Sequence, residues 1–133
     1  MVSVKEFSGD VRRYYQITEL APELDVLCGT DDVALELAIA GSPGWISGYP
    51  NALPQASAAA AGARSGTAGA RSPGHPWMRP WDSRTEFVQA IKLSMEIVGR
   101  YGGPSRPPRL PLTDEQAAQV RKDTERVVAE GLA

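Results

Sequence analysis

Val2-Ser3-Val4-Lys5-Glu6-Phe7-Ser8-Gly9-Asp10 reads as a short strand that runs into a turn and hands the chain to a helix. Side chains of an extended segment alternate between faces, so Val2 and Val4 share one face while Ser3, Lys5 and Phe7 share the other. Lysine is depleted in strands and rarely buried unpaired. This chain also prefers arginine, with only Lys5, Lys92 and Lys122 against eleven arginines. Lys5 therefore has two readings. It is an edge side chain that snorkels to water, or it stands at the carboxyl end of a buried strand, where βα-barrel enzymes carry catalytic groups. In the second setting desolvation favours the neutral amine, the nucleophile of Schiff-base chemistry.

The flanking sequence alternates strand and helix signals. Asp10 is a good N-cap, Val11, Tyr14, Ile17 and Leu20 step along one helix face, and Pro22 lies just past the helix end. Asp25 to Gly29 reads as a second strand. Thr30 and Asp31 open a second helix with Leu35, Ala38 and Ile39 directed inward and Gly41 as its stop. Gly44 to Gly48 is a third strand. Short strands alternating with ten-residue helices predict an α/β fold with a parallel sheet. Three parallel strands have two open edges, and no other segment reads as their cover.

Three stretches carry a family resemblance. Val4-Lys5-Glu6-Phe7-Ser8-Gly9-Asp10 resembles the "G-x-K-[ED]-x-[ST]-G-[DN]" signature of the dihydrodipicolinate synthase / N-acetylneuraminate lyase family. Val26-Leu27-Cys28-Gly29-Thr30-Asp31-Asp32 is similar to the family's following "L-x-G-x-D" strand end. Gly44-Trp45-Ile46-Ser47-Gly48-Tyr49-Pro50-Asn51 resembles its "G-x-I-S-x-x-x-N" strand. The order and the spacing of roughly twenty residues match as well, and a weaker match runs from about Asp82 onward. The resemblance implies the C-terminal part of a (β/α)8 TIM barrel, strands six to eight, followed by C-terminal helices. On that basis the chain is expected to be a fragment, divided into a βαβαβ portion at 1–54, a low-complexity segment at 55–81 and a helical region at 82–133.

Composition sets outer limits. The chain has 133 residues, enough for one modest core, and a net charge of −2 with no basic cluster. Nucleic acid is not an expected partner. No apolar run approaches the length of a membrane span and no charged-then-apolar leader is present, so the expected location is cytoplasmic. Cys28 is the sole cysteine and the chain has one histidine, which speaks against an internal disulfide and an ordinary zinc site. No metal and no cofactor are expected.

Between Pro54 and Glu86 no Leu, Ile, Val or Phe occurs, and residues 56–80 hold eight Ala, four Gly, three each of Ser, Arg and Pro, and no acid. Such a stretch offers little apolar surface against its ordering entropy. Ala58 to Ala61 can begin a helix that Gly62, Gly66 and Gly69 weaken and Pro73 and Pro76 stop. Ala, Gly, Arg and Pro are also what GC-rich DNA yields out of frame. The expectation is two compensating frameshifts, near Gln55 and Trp81, with a natural flexible linker as the alternative. Beyond it, Ser83-Arg84-Thr85-Glu86 reads as a capping box. Phe87, Ile91, Met95 and Val98 form one face, Gly102-Gly103 is the expected stop, and Lys92 is expected on a solvated face. Pro104 to Pro111 is a rigid connector. Thr113-Asp114-Glu115-Gln116 is a second capping box, before a helix with Ala117, Val120, Val127 and Val128 on its apolar side.

The resemblance implies that Lys5 forms an imine with pyruvate or a related 2-keto acid, and that the backbone carbonyl at Ile46 and the close-approach glycine Gly29 line the keto-acid pocket. Thr30 departs from the acid or serine frequent in the family at that position, leaving the second substrate open. Ser47 and Asn51 are expected to make local turn hydrogen bonds. Tyr14 and Tyr15 are expected to pack, and Tyr49 is a further hydroxyl near the third strand. The family's proton-relay tyrosine, its Thr-Thr carboxylate pair and its substrate arginine precede the lysine segment and have no counterpart here. Loss of a positioned acid/base costs roughly 10²–10⁴-fold, so little activity is expected of the chain alone. Two classes remain: a Schiff-base lyase, most like 4-hydroxy-tetrahydrodipicolinate synthase, with sugar-acid aldolase/dehydratase and pyrroline-4-hydroxy-2-carboxylate deaminase as relatives; or a non-catalytic remnant. The family is usually homo-oligomeric, and a fragment is expected to aggregate or to need a complementary half.

Overall fold

The computed structural model describes residues 1–62 and 84–133. Strand β1 (Ser3–Glu6) leads through the Gly9 turn to helix α1 (Val11–Leu20), and strand β2 (Asp25–Cys28) returns parallel to β1. Their register pairs Val4 with Val26, Lys5 with Leu27 and Glu6 with Cys28. A 3-10 turn (Asp31–Val33) continues into helix α2 (Ala34–Ile39). The expected third strand is reduced to one parallel bridge between Cys28 and Trp45, held by Cys28 N–H to Gly44 O (2.9 Å) and Ile46 N–H to Cys28 O (2.8 Å). Its brevity follows from Pro43 on one side and the Ser47 turn on the other, where Ser47 Oγ accepts the Tyr49 amide.

Helices α1 and α2 pack on one face of this small sheet. Val26 and Cys28 point with Val4 toward α1 and α2, where Tyr14 and Leu37 complete a buried cluster. Each helix departs from its expected face. Helix α1 uses Val11, Tyr14 and Ile17, but Leu20 is 86% exposed. A three-residue step falls about 60° short of a full turn, so the third step brings Leu20 opposite Val11. In α2 the opening 3-10 turn shifts the phase. Val33, Leu37 and Ala40 therefore form the inward stripe, and Ile39 is 79% exposed. Neither Leu35 nor Ala38 belongs to the cluster. Helix α2 does stop at Gly41, whose φ of +107° lets the Ser42 amide reach Leu37 O and the Gly41 amide reach Ala38 O.

A second cluster gathers the rest of the described chain. A 3-10 turn (Tyr49–Asn51) precedes α3 (Pro54–Gly62), and α4 (Phe87–Ile97) and α5 (Asp114–Ala129) pack side by side. Tyr49, Ala52, Leu53, Ala56, Ala90, Ile91, Val120 and Val127 are its buried members, and Trp45 packs against both clusters. Inside it, Ser94 Oγ and Thr124 Oγ1 lie 2.8 Å apart, and Thr124 donates to Val120 O.

Composition predicts at most a short alanine-driven helix with little packing from residue 56 onward; α3 is such a helix, begun at Pro54 and packed at Ala56 and Ser57. Proline suits the first helical position and the alanine run has the highest helix propensity. Ala56 and Ser57 are buried, Ser57 Oγ donates to Leu53 O, and the Ala56 amide donates to Leu132 O. The remainder of the low-complexity stretch and Ser83 of the expected capping box lie outside the described residues. Glu86 itself stands at the N-cap of α4, without a side-chain cap bond.

Helix α4 ends at Gly99 (φ +80°), earlier than the Gly102-Gly103 pair expected to stop it. The Arg100 amide bonds Met95 O and the Gly99 amide bonds Glu96 O, satisfying the last carbonyls. Lys92 is not a free surface lysine: its Nζ donates to Gly102 O (2.7 Å) and Pro104 O (3.0 Å), pinning the connector to α4. The Thr113 capping box forms with both reciprocal bonds, Gln116 N–H to Thr113 Oγ1 and Thr113 N–H to Gln116 Oε1. In α5 Val120, Thr124 and Val127 are buried, while Val128, about 100° round the helix from Val127, is exposed.

Candidate active site

The parallel register brings the carboxyl ends of the strands to one edge. Lys5 and Leu27 pair on the face opposite the α1 and α2 cluster, and Gly29 follows directly from β2. The Gly29 amide donates to Glu6 O at 2.7 Å, which continues the ladder one residue past β2. A methyl at position 29 would stand 2.6 Å from Lys5 Cε and 2.6 Å from Glu6 O, so the lysine stem lies directly across this glycine. Gly44 does the same for Leu27, whose Cδ2 would be 2.6 Å from a Cβ there. Two glycines thus let long side chains of one strand lie over the next.

Lys5 is exposed, and its Nζ stands 5.0 Å from the centroid of the Phe7 ring. Phe7 in turn meets Phe87 of α4 at 5.7 Å between centroids, which ties the lysine's neighbourhood to the helical region. Ile46 is 45% exposed beside the third bridge, and its amide is committed to Cys28 O. Lys5, Gly29 and Ile46 are therefore together at the strand ends.

The other side chains considered from sequence separate cleanly. Ser47 Oγ accepts the Tyr49 amide and Asn51 Nδ2 donates to Gly48 O, both local turn bonds. Tyr49 is buried in the second cluster and Tyr14 in the first, whereas Tyr15 is exposed and meets Tyr14 edge-on. Thr30 is buried, with Oγ1 lacking a hydrogen-bond partner among the described residues.

Three neighbours have contacts that the sequence does not reveal. Glu6 is 7% exposed, and its Oε1 accepts the Ser8 amide at 2.8 Å with Arg13 Nε 3.7 Å away. Asp31 is buried and accepts the Trp45 indole N–H at 2.9 Å, joining the turn after β2 to the third bridge. Phe7 is the third. The acid after Lys5 was visible as part of the motif, but its burial was not. Asp10 accepts from both the side chain and the amide of Arg12, which holds its carboxyl at about 2. Open grooves of about 520 and 360 Å³ flank the 104–112 connector, lined in common by Gln89, Arg109 and Pro111; neither includes Lys5.

Among the described residues, no helix is long and apolar enough to cross a membrane. The 4-hydroxy-tetrahydrodipicolinate synthase of Methanothrix thermoacetophila is 29% identical over 128 residues, covering 91% of this chain and 43% of the relative. The enzyme of the same name from Coxiella burnetii (strain RSA 493) is 30% identical over 133 residues, with coverages of 96% and 45%. The chain thus spans less than half the length of these relatives. A Pseudomonas aeruginosa protein assigned as a dihydrodipicolinate synthetase superposes with a TM-score of 0.81 at 24% identity, covering 96% of this chain and 46% of that one. YagE, a prophage protein of E. coli K12 solved in complex with pyruvate, superposes at 0.73 and 24% identity, with coverages of 100% and 47%. The likeness to both is one of fold. Residues 1–127 match the Dihydrodipicolinate synthetase family, and the chain belongs to that family.

Proposed function

We propose that this chain supplies the Schiff-base lysine of a pyruvate-type class I lyase, most like 4-hydroxy-tetrahydrodipicolinate synthase, and that it corresponds to barrel strands six to eight. The observation that carries the reading is the contact of the Lys5 stem with Gly29 on the sheet face opposite α1 and α2. A barrel lumen is the environment that face suits. In the proposed reaction the neutral Lys5 amine attacks the keto carbon of pyruvate and water departs, leaving a protonated imine. That imine withdraws electrons, so a proton leaves the adjacent methyl and the resulting enamine attacks an aldehyde carbon, aspartate semialdehyde in the favoured case. Water attacking the imine carbon, or the semialdehyde's own amino group attacking it to close a ring, then expels the Lys5 amine. The Ile46 carbonyl and Gly29 would line the keto-acid pocket.

The shares of 43% and 45% of the relatives' lengths support a further part of the proposal, that catalysis needs a complementary half-barrel. The active assembly would be a cytoplasmic homo-oligomer of completed barrels. A second reading, a non-catalytic remnant, is favoured by one observation: the Lys5 side chain is open to solvent rather than enclosed. Co-expression with the preceding half of a relative's barrel separates the two. The lyase reading expects the isolated chain to self-associate, the paired chains to be soluble, and pyruvate-dependent turnover to appear with them and vanish in Lys5→Arg. Turnover absent from a soluble, paired assembly would favour the remnant.

A further inference from the structure

Glu6 occupies a place where a strand packed under helices ordinarily carries an aliphatic side chain, as Val4 and Val26 do on the same face. Burying a carboxylate is costly unless it is hydrogen-bonded or paired, and this one is 7% exposed. Arg13 Nε lies 3.7 Å from Oε1 with its own side chain exposed, and the remaining contacts run in two directions. Oε1 accepts the Ser8 amide at 2.8 Å, Ser8 Oγ accepts the Asp10 amide at 3.1 Å, and Asp10 accepts the Arg12 amide at 3.0 Å at the start of α1. In the other direction the Glu6 carbonyl accepts the Gly29 amide at 2.7 Å, and Gly29 is the residue over which the Lys5 stem lies.

We infer that Glu6 is a positioning residue, whose buried carboxylate fixes the turn after β1 and so holds Lys5 against Gly29 on the face opposite α1 and α2. The inference rests on the reading of Lys5 as the imine-forming group. Glu6 and Lys5 are adjacent in one strand and point to opposite faces, so the carboxylate acts through the backbone rather than by touching the amine. Oε1 carries the turn bond, and Oε2 has no hydrogen-bond partner among the described residues. Glutamine keeps the acceptor that matters and loses no bond at the other atom, whereas alanine removes the anchor.

The test follows the rate at which borohydride traps a pyruvate adduct at Lys5, per folded molecule, in the full chain paired with a complementary half. Ser8 amide exchange is measured alongside. Glu6→Ala is expected to slow trapping about 10- to 100-fold and to remove Ser8 protection, because small misplacements of a reacting group are costly. Glu6→Gln is expected to trap within about threefold of the parent and to keep the protection. Equal trapping by Glu6→Ala and the parent overturns the inference and leaves the lysine's role intact. Glu6→Gln as slow as Glu6→Ala also overturns it, since charge rather than the turn bond would then matter. No adduct in the parent overturns the functional reading and this inference with it.

Discussion

Lys5 and Gly29 are in direct contact across the first two strands: a methyl on residue 29 would lie 2.6 Å from Lys5 Cε and 2.9 Å from Cγ. The same methyl would meet Glu6 O at 2.6 Å, which is backbone and cannot swing aside. Gly29→Ala is therefore predicted to destabilise the fold by about 1–3 kcal/mol and to divert the lysine. Adduct formation at Lys5 in the paired assembly should fall by about 10²-fold. Trapping at the parent rate in Gly29→Ala would show that the lysine does not use this path.

The inward faces of α1 and α2 make a paired stability prediction. Leu37→Ala should cost about 2–5 kcal/mol, because it empties a fully buried site between α2 and the sheet. Leu20→Ala and Ile39→Ala should change stability by no more than about 0.5 kcal/mol, both side chains being exposed. Urea unfolding of the four proteins decides it, and a loss at Leu20 equal to that at Leu37 would contradict the packing described.

Ser94 and Thr124 join α4 to α5 through a buried hydroxyl pair. Thr124 gives its proton to Val120 O, so Ser94 is the donor between the two. Thr124→Val strands the Ser94 hydroxyl and should cost about 1–3 kcal/mol. Adding Ser94→Ala should recover part of that loss, giving a coupling of about 0.5 kcal/mol or more in a double-mutant cycle. Strict additivity would mean the pair contributes nothing jointly.

Asp10 links α1 to the pH dependence of the chain. Hydrogen bonds from the Arg12 side chain and then its amide hold the carboxyl at about 2 instead of its ordinary 3.8. Because the folded value is depressed, the contribution to stability is complete above the ordinary value and is lost as pH falls through about 2. Carboxyl NMR of Asp10 should therefore show a midpoint near 2, and Arg12→Ala should return it toward 3.8. A midpoint near 3.8 in the parent chain would contradict the capped geometry.

The alternation of strands and helices was legible from period and turn residues, and the family resemblance adds Lys5 and Gly29 at one edge of the sheet. Leu20 and Ile39 were misread for a geometric reason: steps of three drift round a helix, and a 3-10 turn resets the phase of α2. The C-terminal stop of α4 was assigned to Gly102-Gly103 because a glycine pair is the louder signal, although Gly99 alone takes the left-handed conformation next to the helix. Lys92 was unreadable because its partners are the backbone carbonyls of Gly102 and Pro104, which carry no side-chain signature. In α3 the alanine run signals a helix, but neither its start at Pro54 nor its packing is legible from composition. Alanines add little area each, yet their size lets Ala56 sit fully buried against its neighbours. The burial of Glu6 could not be read at all, since the same letter fits a solvated strand end.

Borohydride reduction in the presence of pyruvate tests the central claim most directly, with the site of modification located by peptide mass spectrometry in the chain paired with a complementary half-barrel. The account predicts a 1-carboxyethyl group on the Lys5 nitrogen, formed only when pyruvate and borohydride are both present and absent from Lys5→Arg, which keeps the charge but cannot form the imine. No adduct, or one spread over Lys92 and Lys122 as readily as Lys5, would contradict it.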